Sequence, residues 1–187
     1  TGSSIMPQKR NPDAAELLDR VYINNWSNLK VGRGRYGVML REDGRIFDDG
    51  VTMRLAENHF HMTTTTNHSS EVFPFLEYLL QVVWPDLKVF VTPVTEQWFA
   101  AAVSGPNARA LLADLAPGLD VSNEEFPMMA VRQAEIAGVP VLVFRMSFSG
   151  ELAYEINCDA DYGLRLWNSI LEAGAAHDLR TYGTEAM

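Results

Sequence analysis

The chain has 187 residues, 47% hydrophobic and 21% charged, which suits one globular domain or two small ones with room for a sizeable core. Its 24 acidic against 15 basic residues give a net charge of −9, which argues against nucleic acid as the main partner. No apolar run approaches the roughly 18 residues of a membrane span, the opening residues lack the pattern of a secretory signal, and the lone Cys158 excludes an internal disulfide framework, so a reducing, cytoplasmic setting is expected.

The first twelve residues, Thr1-Gly-Ser-Ser-Ile-Met-Pro-Gln-Lys-Arg-Asn-Pro12, show neither strand nor helix period. The string resembles the signature loop of the fumarase and argininosuccinate lyase superfamily, where a mobile Gly-Ser-Ser loop supplies a serine base. Nothing after Leu18 continues that pattern. Residues 1–11 are therefore expected to be an appended segment rather than a catalytic loop.

Pro12 to Val21 predicts a helix, with Ala14, Leu17, Leu18 and Val21 on one face. Gly32-Arg-Gly-Arg-Tyr-Gly37 matches the spacing of a dinucleotide-binding loop, but that fingerprint needs a helix to follow, and Val38-Met39-Leu40 reads as a strand. The glycines are read instead as a bend or a close backbone approach. Lys30, Arg33, Arg35, Arg41 and Arg45 form a local basic run, either a solvated face or an anion-docking rim.

The stretch Arg41-Glu-Asp-Gly-Arg-Ile-Phe-Asp48-Asp49-Gly50-Val51 organises the first half. Asp43-Gly44 predicts a two-residue hairpin turn with positive φ at both positions. The returning strand carries Asp48 and Asp49, which must point to opposite faces because side chains alternate along a strand. One turns inward or into a cleft, and the other toward solvent.

Further along, Glu57 to Thr65 suits a strand and Ser69 to Val83 a helix ended by Trp84-Pro85. His59, His61 and His68 have no Cys and no clear further ligand beside them, so no metal site is expected. Gln97 to Val103 predicts a buried strand, followed by a helix through Leu115. Ala130 to Ile136 and Val139 to Ser147 form a hairpin about Ala137-Gly138. Glu151 to Asn157 is a strand, and a helix opens at Asp161 or Tyr162.

The halves repeat at a constant offset of 94. Pro12-Asp-Ala-Ala-Glu-Leu-Leu matches Pro106-Asn-Ala-Arg-Ala-Leu-Leu, and Gly44 matches Gly138. The same register sets Glu57, Phe60 and Met62 on Glu151, Tyr154 and Ile156. This predicts an α+β fold of two tandem pseudo-repeats, 12–94 and 95–187, each an antiparallel sheet with covering helices. The offset sets Asp49 against Val143 and Glu155 against His61. Neither acid has an acidic counterpart, so both are candidates for a site and are expected to line one cleft.

Four strings carry a second resemblance: Leu29-Lys-Val-Gly-Arg-Gly-Arg-Tyr-Gly, Leu40-Arg-Glu-Asp-Gly-Arg-Ile-Phe-Asp-Asp-Gly, Phe148-Ser-Gly-Glu-Leu-Ala-Tyr-Glu-Ile and Tyr182-Gly-Thr-Glu-Ala-Met. From about Asp13 to Met187 the chain resembles the aminomethyltransferase domains found in sarcosine oxidase alpha subunits and in the glycine-cleavage T-protein. The resemblance implies a tetrahydrofolate-binding domain that captures the carbon of an oxidised N-methyl amine as 5,10-methylenetetrahydrofolate. FAD and NAD would be bound elsewhere in the full enzyme, and other sarcosine oxidase subunits would be partners. The same family continues into a further helix and a C-terminal barrel domain, so part of the site is expected beyond Met187.

Carried over residue by residue, the family's catalytic aspartate falls on Asp49, with Asp48 in reserve. A tyrosine near the folate falls on Tyr36, and the glutamate that holds the pterin edge on Glu155. Many relatives have a tyrosine where this chain has Phe148, which removes any hydroxyl contact there. Arg33 or Arg35 would meet the folate's glutamate tail. The competing expectation is a folate-binding or structural module without turnover.

Overall fold

The computed structural model describes residues 12–183. It divides between Pro93 and Val94 into two compact units. The first holds a three-stranded antiparallel sheet ordered β1-β2-β3, formed by Arg33–Leu40, Ile46–Ala56 and His59–Met62. The second holds a four-stranded antiparallel sheet ordered β4-β7-β6-β5, from Trp98–Ser104, Val131–Ile136 (β5), Val139–Phe144 (β6) and Ala153–Asp159 (β7). Among the described residues four α-helices accompany them: α1 Asp13–Val21, α2 Ser69–Tyr78, α3 Ala108–Leu115 and α4 Gly163–Gly174. Among the described residues no helix is long and apolar enough to cross a membrane.

In the first unit α1 buries Ala15, Leu17, Leu18 and Val21, while Asp13 and Glu16 in its first turn and Arg20 in its last suit the helix dipole. The chain leaves α1 at Tyr22, which bridges Met39 of β1. The Asp19 carboxylate closes the following turn by accepting from the N–H groups of Trp26 and Ser27. Gly37 lets this segment lie flat on the sheet. A Cβ there would sit 2.6 Å from Trp26 Cζ2 and 2.8 Å from Tyr22 Cδ1. Gly32 provides the bend, with φ +76°. Tyr22, Trp26 and Met39 then join Val72, Leu76 and Leu79 in one core cluster on the helix-covered face.

Several local expectations are corrected. Asp43-Gly44 does join β1 to β2, but only Gly44 takes positive φ, at +80°. The Gly44 N–H donates to the Arg41 carbonyl at 2.9 Å, and the Arg41 N–H to the Arg45 carbonyl at 2.8 Å. Asp43 Oδ1 accepts from the Arg45 N–H at 3.0 Å, an Asx interaction that keeps Asp43 out of the left-handed region and gives a three-residue connection. The strand expected over 57–65 is only His59–Met62. Glu57 is taken by the turn, where its carbonyl accepts from Arg54 Nε and Nη2 at 3.1 and 2.7 Å.

The helix expected to Val83 is α-helical only to Tyr78 and widens into a π turn over Leu79–Val83. Pro74 inside α2 already lacks one backbone donor, and Pro85 stops the run soon after. In the second unit β4 is an edge strand with only Ala101 and Val103 buried, so the buried strand expected over 97–103 is a half-buried one. The hairpin expected about Ala137-Gly138 is formed, and it is here that both turn positions take positive φ, 51° and 75°. Asp159 accepts from the Asp161 N–H at 2.9 Å and starts the turn that leads into α4.

The same run of helix, hairpin, strand and helix occurs in both units. Adding 94 to α1, β2, β3 and α2 lands on α3, β6, β7 and α4 within a few residues of their starts. In the second unit β4 precedes this run and adds an edge strand beside β7. Residues 1–11, which include the lyase-like string, lie outside the described residues.

Candidate functional site

The hairpin of the first unit decides the fate of its two carboxylates. In the β1–β2 register Asp48 lies opposite Met39 and Asp49 opposite Val38. Met39 belongs to the core, so Asp48 is carried to the helix-covered face, where it is 1% exposed. A buried carboxylate needs partners. Asp48 finds one in the Thr65 N–H, 3.2 and 3.4 Å from its two oxygens, while His68 Nδ1 lies 3.5 Å from Oδ1.

Two residues on, Gly50 completes the arrangement. A Cβ there would sit 2.0 Å from the Thr63 carbonyl oxygen. The connection from β3 to α2 thus crosses the sheet at the gap left by Gly50 and is caught by Asp48. Thr63 is tied further to Val51, accepting from its N–H and donating to its carbonyl, each at 3.0 Å. Asp48 is committed to holding the chain together.

Asp49 points the other way and is half-buried. Tyr36, on the same face of β1 and one diagonal step away, donates its hydroxyl to Asp49 Oδ2 at 2.6 Å. Asp49 Oδ1 makes no hydrogen bond among the described residues. The carboxylate raises the Tyr36 pKa through that bond, because a phenolate beside it would be repelled. On the opposite face the Tyr22 hydroxyl lies close to Thr52 but outside hydrogen-bond geometry. Burial pushes it up to about 12, opposed by Thr52 and assisted by Asp48 and Asp49.

In the second unit Glu155 sits on β7 between Tyr154 and Ile156, both of which are buried in the helix-side core. Strand alternation therefore sends Glu155 and Asn157 to the opposite face. Asn157 Nδ2 donates to Glu155 Oε1 at 3.0 Å, the one hydrogen bond that the Glu155 side chain makes among the described residues. Burial raises the Glu155 pKa, and the Asn157 bond only partly offsets it. Phe148, in the loop after β6, is 92% exposed and Tyr36 53%.

Among the residues singled out from sequence, Tyr36 and Asp49 are brought together and Asp48 is set apart. Arg33 and Arg35 alternate with Tyr36 along β1, and Arg35 stacks 5.9 Å from the Trp26 ring centroid on the helix side. This turns both arginines away from the Asp49 face, so their assignment to a ligand held there loses its support. Sequence reasoning missed Gly50, Thr65 and Asn157. The Glu-x-Asn spacing on one strand was a readable signal for Asn157, since residues two apart share a face.

The profile of the GCVT N-terminal domain family matches residues 10–187. The chain is 50% identical over 179 residues to the sarcosine oxidase subunit alpha of Corynebacterium sp. strain U-96, covering 95% of this chain but 18% of that subunit. The fold superposes on the crystal structure of the glycine cleavage system aminomethyltransferase T from Bartonella henselae with TM-score 0.69 and 26% identity, over 87% of this chain and 41% of that one. A chain of the heterotetrameric sarcosine oxidase from Corynebacterium sp. U-96, in complex with pyrrole 2-carboxylate, shares the fold at 17% identity and TM-score 0.64, covering 95% of this chain and 79% of that one. Each half carries the expected hairpin and helices, and the profile spans nearly the whole sequence: the chain belongs to the GCVT N-terminal domain family.

Proposed function

We propose that this chain is the aminomethyltransferase-like part of a sarcosine oxidase alpha subunit and takes part in one-carbon transfer to tetrahydrofolate. The observation that carries the reading is the Tyr36–Asp49 pair, a carboxylate held by one oxygen and open at the other, on the face away from the helices. Its neighbour Asp48 is spent on the fold, which leaves Asp49 as the acid for chemistry. The 50% identity to a sarcosine oxidase alpha subunit supports the setting. In that setting FAD and NAD belong to other parts of a cytoplasmic enzyme, and its other subunits are the partners.

The residues fit a folate. A reduced pterin presents adjacent N–H donors along its pyrimidine edge, and Glu155 has an acceptor oxygen without a donor in the described structure. When bound, tetrahydrofolate supplies the nucleophilic amine that accepts the one-carbon unit. Asp49 Oδ1 then serves as the proton acceptor or as the negative charge facing a cationic amine carbon. Tyr36 fixes the carboxylate's orientation from the other oxygen. Glu155 anchors the ligand and takes no part in proton transfer.

The test uses a full-length alpha subunit that contains this chain, assembled with its partner subunits. Asp49→Asn is expected to leave tetrahydrofolate affinity within several-fold and to lower formation of 5,10-methylenetetrahydrofolate by roughly 10² or more. Glu155→Gln is expected to weaken binding by about 1.5–3 kcal/mol, the range for a hydrogen bond to a charged group. Bound folate with turnover indifferent to Asp49 would favour a binding module without chemistry. Parent-like behaviour in both variants would place the site elsewhere.

A further inference from the structure

The first unit carries a second feature of opposite charge. Asn28, Leu29, Lys30, Arg33, Gly34 and Arg35 line a depression of about 470 Å³. Arg33 lies directly across the antiparallel pair from Arg54, an arrangement of like charges that disfavours the sheet. Arg54 is spent on backbone carbonyls, donating to Leu29 at 2.7 Å and to Glu57 at 3.1 and 2.7 Å. Arg35 gives Nη1 to Asn28 Oδ1 at 2.8 Å. The side chains of Lys30 and Arg33 make no ion pair or hydrogen bond among the described residues. Among the described residues no acidic side chain lies in ion-pair contact with Lys30, Arg33 or Arg35.

We propose that the depression binds a multivalent oxyanion, a small molecule carrying two or more carboxylate or phosphate groups. Its volume lies within the range of small-ligand sites. A guanidinium meets a carboxylate or phosphate with two parallel donors, and Lys30 adds a point charge beside it. Arg54 already meets carbonyl oxygens, so such a ligand would chiefly answer the charge of Arg33 and Lys30 and offset the repulsion of Arg33 with Arg54. Strand alternation puts Arg33 and Arg35 on the opposite side of β1 from Tyr36, so this site is separate from the Asp49 face. The proposal does not depend on the folate reading.

Calorimetric titration of the chain with citrate and with pyrophosphate tests it, in the parent, in the Lys30→Ala/Arg33→Ala double variant and in Arg33→Lys. Saturable binding is expected in the parent, weakened at least about tenfold by the double change and weakened again as salt rises from about 50 to about 500 mM. Arg33→Lys is expected to keep part of the affinity. The probe that binds more tightly assigns the groups as carboxylates or phosphates. Thermal unfolding gives a second readout: without anion the double variant should be at least as stable as the parent, and either probe should raise the parent's Tm more than the double variant's. Absence of saturable binding to the parent, undiminished binding to the double variant, or a lower anion-free Tm in that variant would each overturn the proposal.

Discussion

The Tyr36 hydroxyl donates a 2.6 Å hydrogen bond to Asp49 Oδ2 across a diagonal of the β1–β2 pair. Because the carboxylate disfavours the phenolate, Tyr36 should titrate above its ordinary value of 10.0. Asp49→Asn should bring that titration down, as followed by tyrosinate absorbance with Tyr36→Phe identifying the band. The sign follows from the raised pKa: any stability from this bond is present below pH 10 and lost as pH rises through the folded value. Tyr36 is exposed and Asp49 only half-buried, so a double-mutant cycle should return a coupling of only about 0.2–1 kcal/mol. A coupling of zero would mean the bond is not populated.

Asp48 and Gly50 should behave as parts of the scaffold. Asp48→Ala leaves the Thr65 N–H without its acceptor and should cost about 1–3 kcal/mol in urea unfolding, with Asp48→Asn milder because it keeps an acceptor oxygen. Gly50→Ala places a Cβ 2.0 Å from the Thr63 carbonyl oxygen and should cost about 4 kcal/mol or prevent folding. If Asp48→Ala were neutral, the buried carboxylate would not be what fixes the β3–α2 connection.

Glu155 should reduce stability at neutral pH. Its pKa is raised from 4.5 mainly by burial, so the folded state prefers the protonated acid. The stability linked to this group is full below pH 4.5 and is lost as pH rises through the folded value. Glu155→Gln should therefore unfold at a higher temperature than the parent at pH 7, with the gap closing toward pH 4. Equal Tm values at both pH values would show that burial does not penalise the charge. Together with weakened folate binding, a stability gain would mark Glu155 as a residue kept for a ligand rather than for folding.

The second hairpin offers a test of backbone strain. Ala137 sits at φ 51°, a left-handed conformation that disfavours a Cβ. Asparagine and glycine tolerate it. Ala137→Asn or Ala137→Gly should raise stability by about 0.5–1 kcal/mol, read as a shift in Tm. A loss of stability in both variants would show that the turn is held by something other than its local φ preference.

Much of this molecule was legible in its residues. The 94-residue register, the two hairpins, the opposed carboxylates and the two uses of glycine in Gly32–Gly37 all follow from local rules: side-chain alternation, helical period and the freedom of a residue without a Cβ. The sequence alone determined that one of Asp48 and Asp49 would be covered. Which one depended on the face to which Tyr22, Trp26 and α2 bring their apolar side chains, and on where the Thr63–Thr65 segment crosses the strand. Those are long-range contacts, set by packing rather than by neighbours in the chain. The same holds for the length of β3, which Arg54 curtails by binding the Glu57 carbonyl, and for the separation of Arg35 from Tyr36. Local chemistry fixed the elements, and the packing of the apolar face decided which acid the fold covered and which it left free, the covered one then requiring a partner.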